Sequence, residues 1–231
     1  FARVFQRVDA RAQVELHFAD GDLIDVGDQV ATVRGPLRAI LVGERVALNF
    51  LMRLSGIASG VRAMRELIAG YPGVALLDTR KTTPGLRALE KAAVRAGGGV
   101  NHRRGLDDRV LIKDNHLGLG GVELAEAVRR ARELLPDAPV EIEADDLDGL
   151  RAAVAAGADW VLLDNMDDAE LRRAVDVAGG RVKLEASGGM SLDRARTAAT
   201  TGVDAISVGA LTHSAPALDL GLDLSPDEPT A

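Results

Sequence analysis

VEIEADDLDGLRAAVAAGADWVLLD, residues 140–164, sets an apolar run, a helical segment and a second apolar run end to end. VEIEA (140–144) and WVLLD (160–164) are too short for helices and are bounded by turn residues, which predicts buried strands. DLDGLRAAVAAG between them repeats apolar residues every three or four positions and closes on a glycine, the pattern of a helix with its stop signal. Two strands joined through a helix lie parallel, so the stretch predicts a βα unit. The same texture extends in both directions. Strands are predicted at VALLD (74–78), VLIKD (110–114), VKLEA (182–186) and AISVG (205–209), with helices in GLRALEKAAVRA, GVELAEAVRRARELL and DAELRRAVDVAG. No Gly-x-Gly-x-x-Gly turn follows the first strand, which favours a β/α barrel over a dinucleotide-binding sheet. About six parallel strands fall short of the usual eight, so the barrel is expected to be incomplete or closed by another element.

Upstream the texture differs. The first 35 residues read as short strands and turns, VELHF, ADGD and an alternating QVATV. They resemble the hairpins of lipoyl or biotinyl carrier domains, but those present a lysine at a hairpin tip and the first lysine here is Lys81. A structural β-module remains. Pro36 to about Ala69 forms a long helical tract in which Gly56 and Gly60 mark a break or a close contact. It is more apolar than a surface helix needs, which leaves a domain-bridging core helix or a helix buried between subunits. The expected division is 1–70 and 71–231, with the extreme C-terminus returning to the N-terminal unit. The chain opens at Phe1 and FARVFQ has no cap signal before it, so an N-terminal piece is expected to be missing.

Composition narrows the function classes. The chain has 231 residues, 47% hydrophobic and 27% charged, which suits a globular protein with one main core. Lacking cysteine, it has no disulfide, thiolate nucleophile or cysteine zinc site, as fits a cytoplasmic location. No apolar run approaches the about 20 residues of a membrane span. The net charge of −7 argues against general affinity for nucleic acid or anionic membranes. Any bound anion must meet a local concentration of positive charge.

Such a concentration exists. In a β/α barrel the site lies at the carboxyl ends of the strands, and polar residues collect there: Asp78, Arg80 and Lys81; Lys113, Asp114, Asn115 and His116; Glu141 and Glu143; Asp164 and Asn165; Glu185 and Ser187. Buried ionised groups are costly unless paired or liganded, so these are either an interlocked ring of ion pairs or a site. Arg80, Lys81, His102, Arg103, Arg104, Arg109 and Lys113 supply one sign, Glu143 and Asp164 the other. That is the pattern of an anion pocket facing a carboxylate pair able to hold magnesium. GGGVNHRRGLDD adds glycines through which backbone N–H groups can approach an anion. LEASGGMS and SVGALTHS place Ser187, Gly188, Gly189, Gly209 and His213 after the last strands, where barrels bind phosphate.

GERVALNFLMRLSGIAS, DTRKTTPGLRALEKAAVRAGGGVNHRRGLDDRVLIKDNH, VEIEADDLD, WVLLDNM, LEASGGMS and SVGALTHS, in this order, closely resemble the quinolinate phosphoribosyltransferases. The resemblance covers most of residues 36–221. It implies a small N-terminal sandwich-like domain, an open α/β barrel, magnesium dependence, and a homodimer with shared active sites, a higher assembly being a further option. It implies decarboxylating phosphoribosyl transfer from phosphoribosyl pyrophosphate to quinolinate in NAD biosynthesis. Quinolinate would be gripped by Arg80, His102, Arg103 and Lys113, with Arg45 reaching in from the partner. Phosphoribosyl pyrophosphate would meet Lys81, Ser187, Gly188, Gly209 and His213, and magnesium at Glu143 and Asp164. Lys81, Lys113, Glu143 and Asp164 are the implied catalytic groups; Arg104 has no assigned role. The alternatives are a related phosphoribosyltransferase acting on another acid, or a non-catalytic phosphometabolite-binding barrel.

Overall fold

A computed structural model describes residues 1–113, 116, 118 and 120–225. In chain order its elements are α1 (Ala2–Val8), β1 (Gln13–Leu16), β2 (Ala31–Arg34), α2 (Leu37–Leu67), β3 (Ala75–Leu77), α3 (Arg87–Ala96), β4 (Val110–Ile112), α4 (Leu124–Leu134), β5 (Val140–Ala144), α5 (Leu147–Ala155), β6 (Trp160–Asp164), α6 (Asp168–Ala178), β7 (Lys183–Ser187), α7 (Leu192–Ala199), β8 (Ala205–Ser207) and α8 (Ala210–His213).

The 140–164 stretch forms the expected strand, helix and strand. Asp146 caps the helix by accepting the Gly149 N–H, Asp167 and Glu170 build a reciprocal capping box on α6, and Ser191 caps α7. These oxygens satisfy backbone donors that a helix start leaves unpaired. All six predicted strands are present in one parallel sheet of order β3-β8-β7-β6-β5-β4. Among the described residues no ladder joins β4 to β3, and a single parallel bridge from Val100 to Leu77 flanks β3. The barrel is therefore open between its first two strands.

Alternation sorts the strand residues. Val140, Ile142, Val161, Leu163, Leu184, Ala186 and Ile206 enter the main core with the helices. Glu141 on β5 and Glu185 on β7, strands separated by β6, both reach His102, which places their side chains on the concave face.

The N-terminal unit departs from the expectation of strands alone. Phe1, Val4 and Phe5 recur at helical spacing, residues 2–8 form a helix, and Phe1 packs edge-to-face on Phe5 at 5.3 Å. Phe5, Ala12, Ile40 and Ala47 form a second, smaller core with Val14, Val33 and Leu222. Burying Phe5 contributes roughly 1.5–3 kcal/mol. β1 and β2 pair antiparallel. α2 runs through Gly56 and Gly60 without a break. Gly56 is instead a close contact: a Cβ there would stand 1.9 Å from the Pro216 carbonyl oxygen. The helix joins the two cores, since Ile40 and Ala47 belong to the small one and Ile57, Val61 and Met64 to the large one. Leu37, Leu41, Val42 and Val46 remain more than half or about half exposed along its first turns.

Candidate active site

The loop after β3 begins at Asp78, which is fully buried. Its carboxylate accepts from Lys91 Nζ at 2.6 Å, from Asn101 Nδ2 at 2.7 Å and from the His102 backbone N–H at 2.7 Å. Lys91 Nζ also donates to the His102 carbonyl at 3.1 Å. Asp78 thus ties the start of the Arg80 loop to the His102 loop and is spent on structure. Glu90, the neighbour of Lys91 on α3, plays the parallel part for Thr83, accepting from its N–H at 3.1 Å and its hydroxyl at 2.8 Å. Arg53 of α2 neutralises Glu90 and reaches the Ala215 carbonyl. Thr212 donates its hydroxyl to the Lys81 carbonyl at 2.9 Å, and Arg87 holds the Thr82 hydroxyl at 3.0 Å.

Main chain and threonines therefore pin the KTTPG turn, leaving the two basic side chains uncommitted. Among the described residues no carboxylate lies within ion-pair distance of Arg80, Lys81 or Arg103. Arg103 has its Nε buried without a partner. Burial, and then the charge of Arg80, lower the pKa of Arg103. Two guanidinium groups held close and under-solvated repel each other unless an anion enters.

His102 sits beneath them. Its Nδ1 accepts the Arg103 N–H at 2.7 Å, and its Nε2 lies 3.1 Å from Glu141 and 3.0 Å from Glu185. Burial opposes protonation of His102 and the two carboxylates favour it; the Arg103 N–H aimed at Nδ1 leaves the ring proton on Nε2. Burial also raises Glu185, while Glu141, despite its own burial, is held below its usual value by His102 and Arg109. The three groups titrate as one unit. Arg109 closes the charge balance from Glu141 at 3.4 Å and lies 4.9 Å over the Trp160 ring. Arg109 therefore belongs to the interior and not to the anion pocket in which the sequence grouped it.

Lys113 and Glu143, assigned by sequence to opposite halves of the site, are bonded to each other. Glu143, Asp145 and Asp164 offer carboxylate oxygens within 4.8 Å of one another. Asn165 donates to Asp164 at 2.7 Å and adopts a left-handed φ of 57°. Its side chain packs on Gly188, where a Cβ would stand 2.1 Å from Asn165 Oδ1 and where φ is +88°. Ser187 is held by the Ser207 hydroxyl at 3.0 Å and by the Asn165 N–H on its carbonyl. A Cβ on Gly209 would lie 3.1 Å from Lys81 Cδ and 3.3 Å from His213 Nε2, so this glycine admits both side chains to one spot.

Thus Lys81, Gly209 and His213 meet; Arg80, Arg103 and His102 meet; and Lys113, Glu143 and Asp164 form a third group at the same end of the barrel. Arg45 is not brought to any of them. It is exposed on α2, its nearest carboxylate Glu44 at 3.9 Å. Arg104 is exposed, its backbone N–H donating to Asp108 at 2.6 Å. Lys183 lies at the opposite end of β7, bonded to Asp204 at 2.6 Å. Asp114 and Asn115 lie outside the described residues. Sequence reasoning missed Lys91, Glu90 and Arg53, because a charged residue in an amphipathic helix carries no local sign of burial. Asn165 had one usable signal, since asparagine after a strand is among the few residues that tolerate the left-handed region.

Both sides of the alternative drawn from sequence are present. An ion-pair network exists, in Asp78–Lys91, Glu90–Arg53 and Glu141–His102. It surrounds cations that it does not neutralise.

Comparison with known proteins agrees with this arrangement. Residues 57–223 match the model of the quinolinate phosphoribosyl transferase C-terminal domain and residues 1–55 that of the N-terminal domain. The chain is 43% identical to a probable nicotinate-nucleotide pyrophosphorylase [carboxylating] of Bacillus subtilis over 96% of its length and 76% of the relative's. It is 46% identical to the Mycobacterium leprae nicotinate-nucleotide pyrophosphorylase [carboxylating] over 89% and 72%. The solved nicotinate-nucleotide pyrophosphorylase of Francisella tularensis superposes with a TM-score of 0.89 at 42% identity, covering 94% of this chain and 76% of that one.

Proposed function

The chain belongs to the quinolinate phosphoribosyl transferase family, and on that premise we propose that it transfers a phosphoribosyl group from phosphoribosyl pyrophosphate to quinolinate and decarboxylates the product, giving nicotinate mononucleotide, pyrophosphate and carbon dioxide. The observation that carries this reading is the cation set Arg80, Lys81 and Arg103, which meets no carboxylate among the described residues and stands at the same barrel end as Glu143, Asp145 and Asp164. Two guanidinium forks suit the two carboxylates of a pyridine dicarboxylate, because each planar fork can donate two parallel hydrogen bonds. Lys81, Gly209, His213 and the Ser187–Gly188 turn suit phosphate, since they combine a point charge with close backbone approach.

In the proposed reaction the pyridine nitrogen attacks the anomeric carbon as pyrophosphate departs. Lys81 stabilises the charge leaving with pyrophosphate, and a nearby carboxylate, Glu143 or Asp164, stabilises the cationic ribosyl centre. Attack leaves the ring nitrogen positively charged. The carbon–carboxylate bond next to it then breaks, its electron pair drawn toward that nitrogen, and the ring carbon takes a proton. Sequence offers Lys113 or His102 as donor; Lys113 is the better placed, because its side chain is part-exposed at the strand end while the His102 ring is buried between Glu141 and Glu185.

The carboxylate trio fits magnesium, which takes hard oxygen ligands. Glu143 and Asp164 are the proposed ligands, with Asp145 adjoining them. When bound, the ion would neutralise charge on the pyrophosphate oxygens. Lys113 bonds to Glu143.

We further propose a homodimer formed through the apolar stripe Leu37, Leu41, Val42 and Val46 of α2, which would carry Arg45 into the partner's quinolinate pocket. The deciding experiment mixes the protein with quinolinate, phosphoribosyl pyrophosphate and magnesium and follows nicotinate mononucleotide together with carbon dioxide. Both are expected, and both are expected to vanish with a chelator. Absence of product would sink the reaction, and unchanged turnover in Glu143→Ala and Asp164→Ala would sink the metal assignment.

A further inference from the structure

The barrel's concave face holds Glu141 and Glu185, both essentially inaccessible to solvent, with Oε1 of Glu141 and both oxygens of Glu185 lacking any hydrogen-bond partner. Buried carboxyl groups in this state are costly, and an apolar residue of the same size would fill the space more cheaply. They contact a single ring, His102, from two strands that are not neighbours. That residue is constrained from three sides: Nε2 stands 3.0–3.1 Å from the two acids, within ion-pair reach though without an aligned hydrogen bond, Nδ1 accepts the Arg103 N–H, and the backbone N–H donates to Asp78. The ring therefore cannot turn without releasing the peptide that aims Arg103 at Arg80.

We propose that Glu141 and Glu185 are positioning residues for the quinolinate grip, fixing the His102 ring so that its Nδ1 holds the Arg103 backbone and keeps the Arg103 guanidinium beside Arg80. This rests on the reading that Arg80 and Arg103 bind quinolinate. Among the described residues Lys81, Gly209 and His213 make no bond to either glutamate, and Ser187 is linked to Glu185 only at second hand, through the Ser207 hydroxyl. A disturbance of the acids, which touch His102 directly, should thus bear chiefly on quinolinate.

The test compares Glu185→Met, which removes the polar contact at similar volume, with Glu185→Gln, which keeps a polar oxygen beside Nε2. For Glu185→Met the expected result is about a tenfold rise in KM for quinolinate (about 1.4 kcal/mol), KM for phosphoribosyl pyrophosphate unchanged within about twofold, and no loss in Tm; Glu185→Gln should recover most of the affinity. Unmoved quinolinate KM would overturn the proposal, as would a parallel rise in both KM values with a lowered Tm, which is the mark of packing alone. Nitrogen-15 spectra of ligand-free wild type supply a readout independent of turnover and of variant folding. They should show His102 with Nδ1 unprotonated and Nε2 protonated; a ring averaging between tautomers would refute the positioning. If wild type forms no nicotinate mononucleotide while His102 is pinned in this tautomer, the reaction assignment fails and the pinning of Arg103 stands.

Discussion

At the residue scale, the site depends on atoms that are missing as much as on atoms that are present. Gly188 has the side chain of Asn165 where its own Cβ would go, at 2.1 Å from Oδ1, with the Asn165 backbone nitrogen at 2.8 Å. A φ of +88° adds strain for any other residue. Asn165 in turn holds Asp164, so the clash passes directly into the carboxylate group. Gly188→Ala should cost about 1–3 kcal/mol of stability and raise KM for phosphoribosyl pyrophosphate more than for quinolinate, read by thermal melting and by steady-state kinetics with each substrate varied. Charge at this scale was readable in sequence; partnership was not. Arg80 and Arg109 look alike in the chain, yet among the described residues one meets no carboxylate and the other lies over Trp160 against Glu141.

At the element scale, α2 does the work of joining. Arg53 anchors Glu90, and through it Thr83, while reaching the 215 carbonyl. Gly56 lets that same C-terminal segment lie against the helix. Gly56→Val should drive a side chain into the Pro216 carbonyl and lower stability by about 1–3 kcal/mol. Gly60→Ala, with nothing within 4 Å of the added carbon, should instead stabilise by about 0.5–1 kcal/mol, because alanine loses less entropy in a helix. Thermal melts of the two variants should move in opposite directions. The sequence presented the two glycines as equivalent, since helical period does not report what lies across from a residue.

At the scale of the whole molecule, the apolar stripe of Leu37, Leu41, Val42 and Val46 beside Arg45 is the surface on which assembly would act. A contiguous exposed apolar stripe on an otherwise charged chain marks an interaction surface. Val42→Glu should convert the proposed dimer to a monomer in sedimentation velocity and weaken quinolinate binding, because Arg45 would no longer reach a partner's pocket. A monomeric wild type, or a monomeric variant with unchanged quinolinate affinity, would remove Arg45 from the site.

The sequence by itself determined the parallel βα architecture, because six short apolar runs separated by capped amphipathic segments leave few other ways to bury the same residues. It also determined which chemical groups stand at the strand ends, because strand ends follow from the strands. Only the tertiary structure decided which of those charges are spent. Asp78 pairs with Lys91, Glu143 with Lys113, and Glu141 and Glu185 with His102 across contacts that span many residues of chain. The N-terminal helix was likewise hidden, being a single short segment whose apolar spacing takes meaning from the small core it fills. Local pattern encodes the period of burial, whereas ion pairing depends on distances set by how the barrel curls, and no local pattern carries those distances.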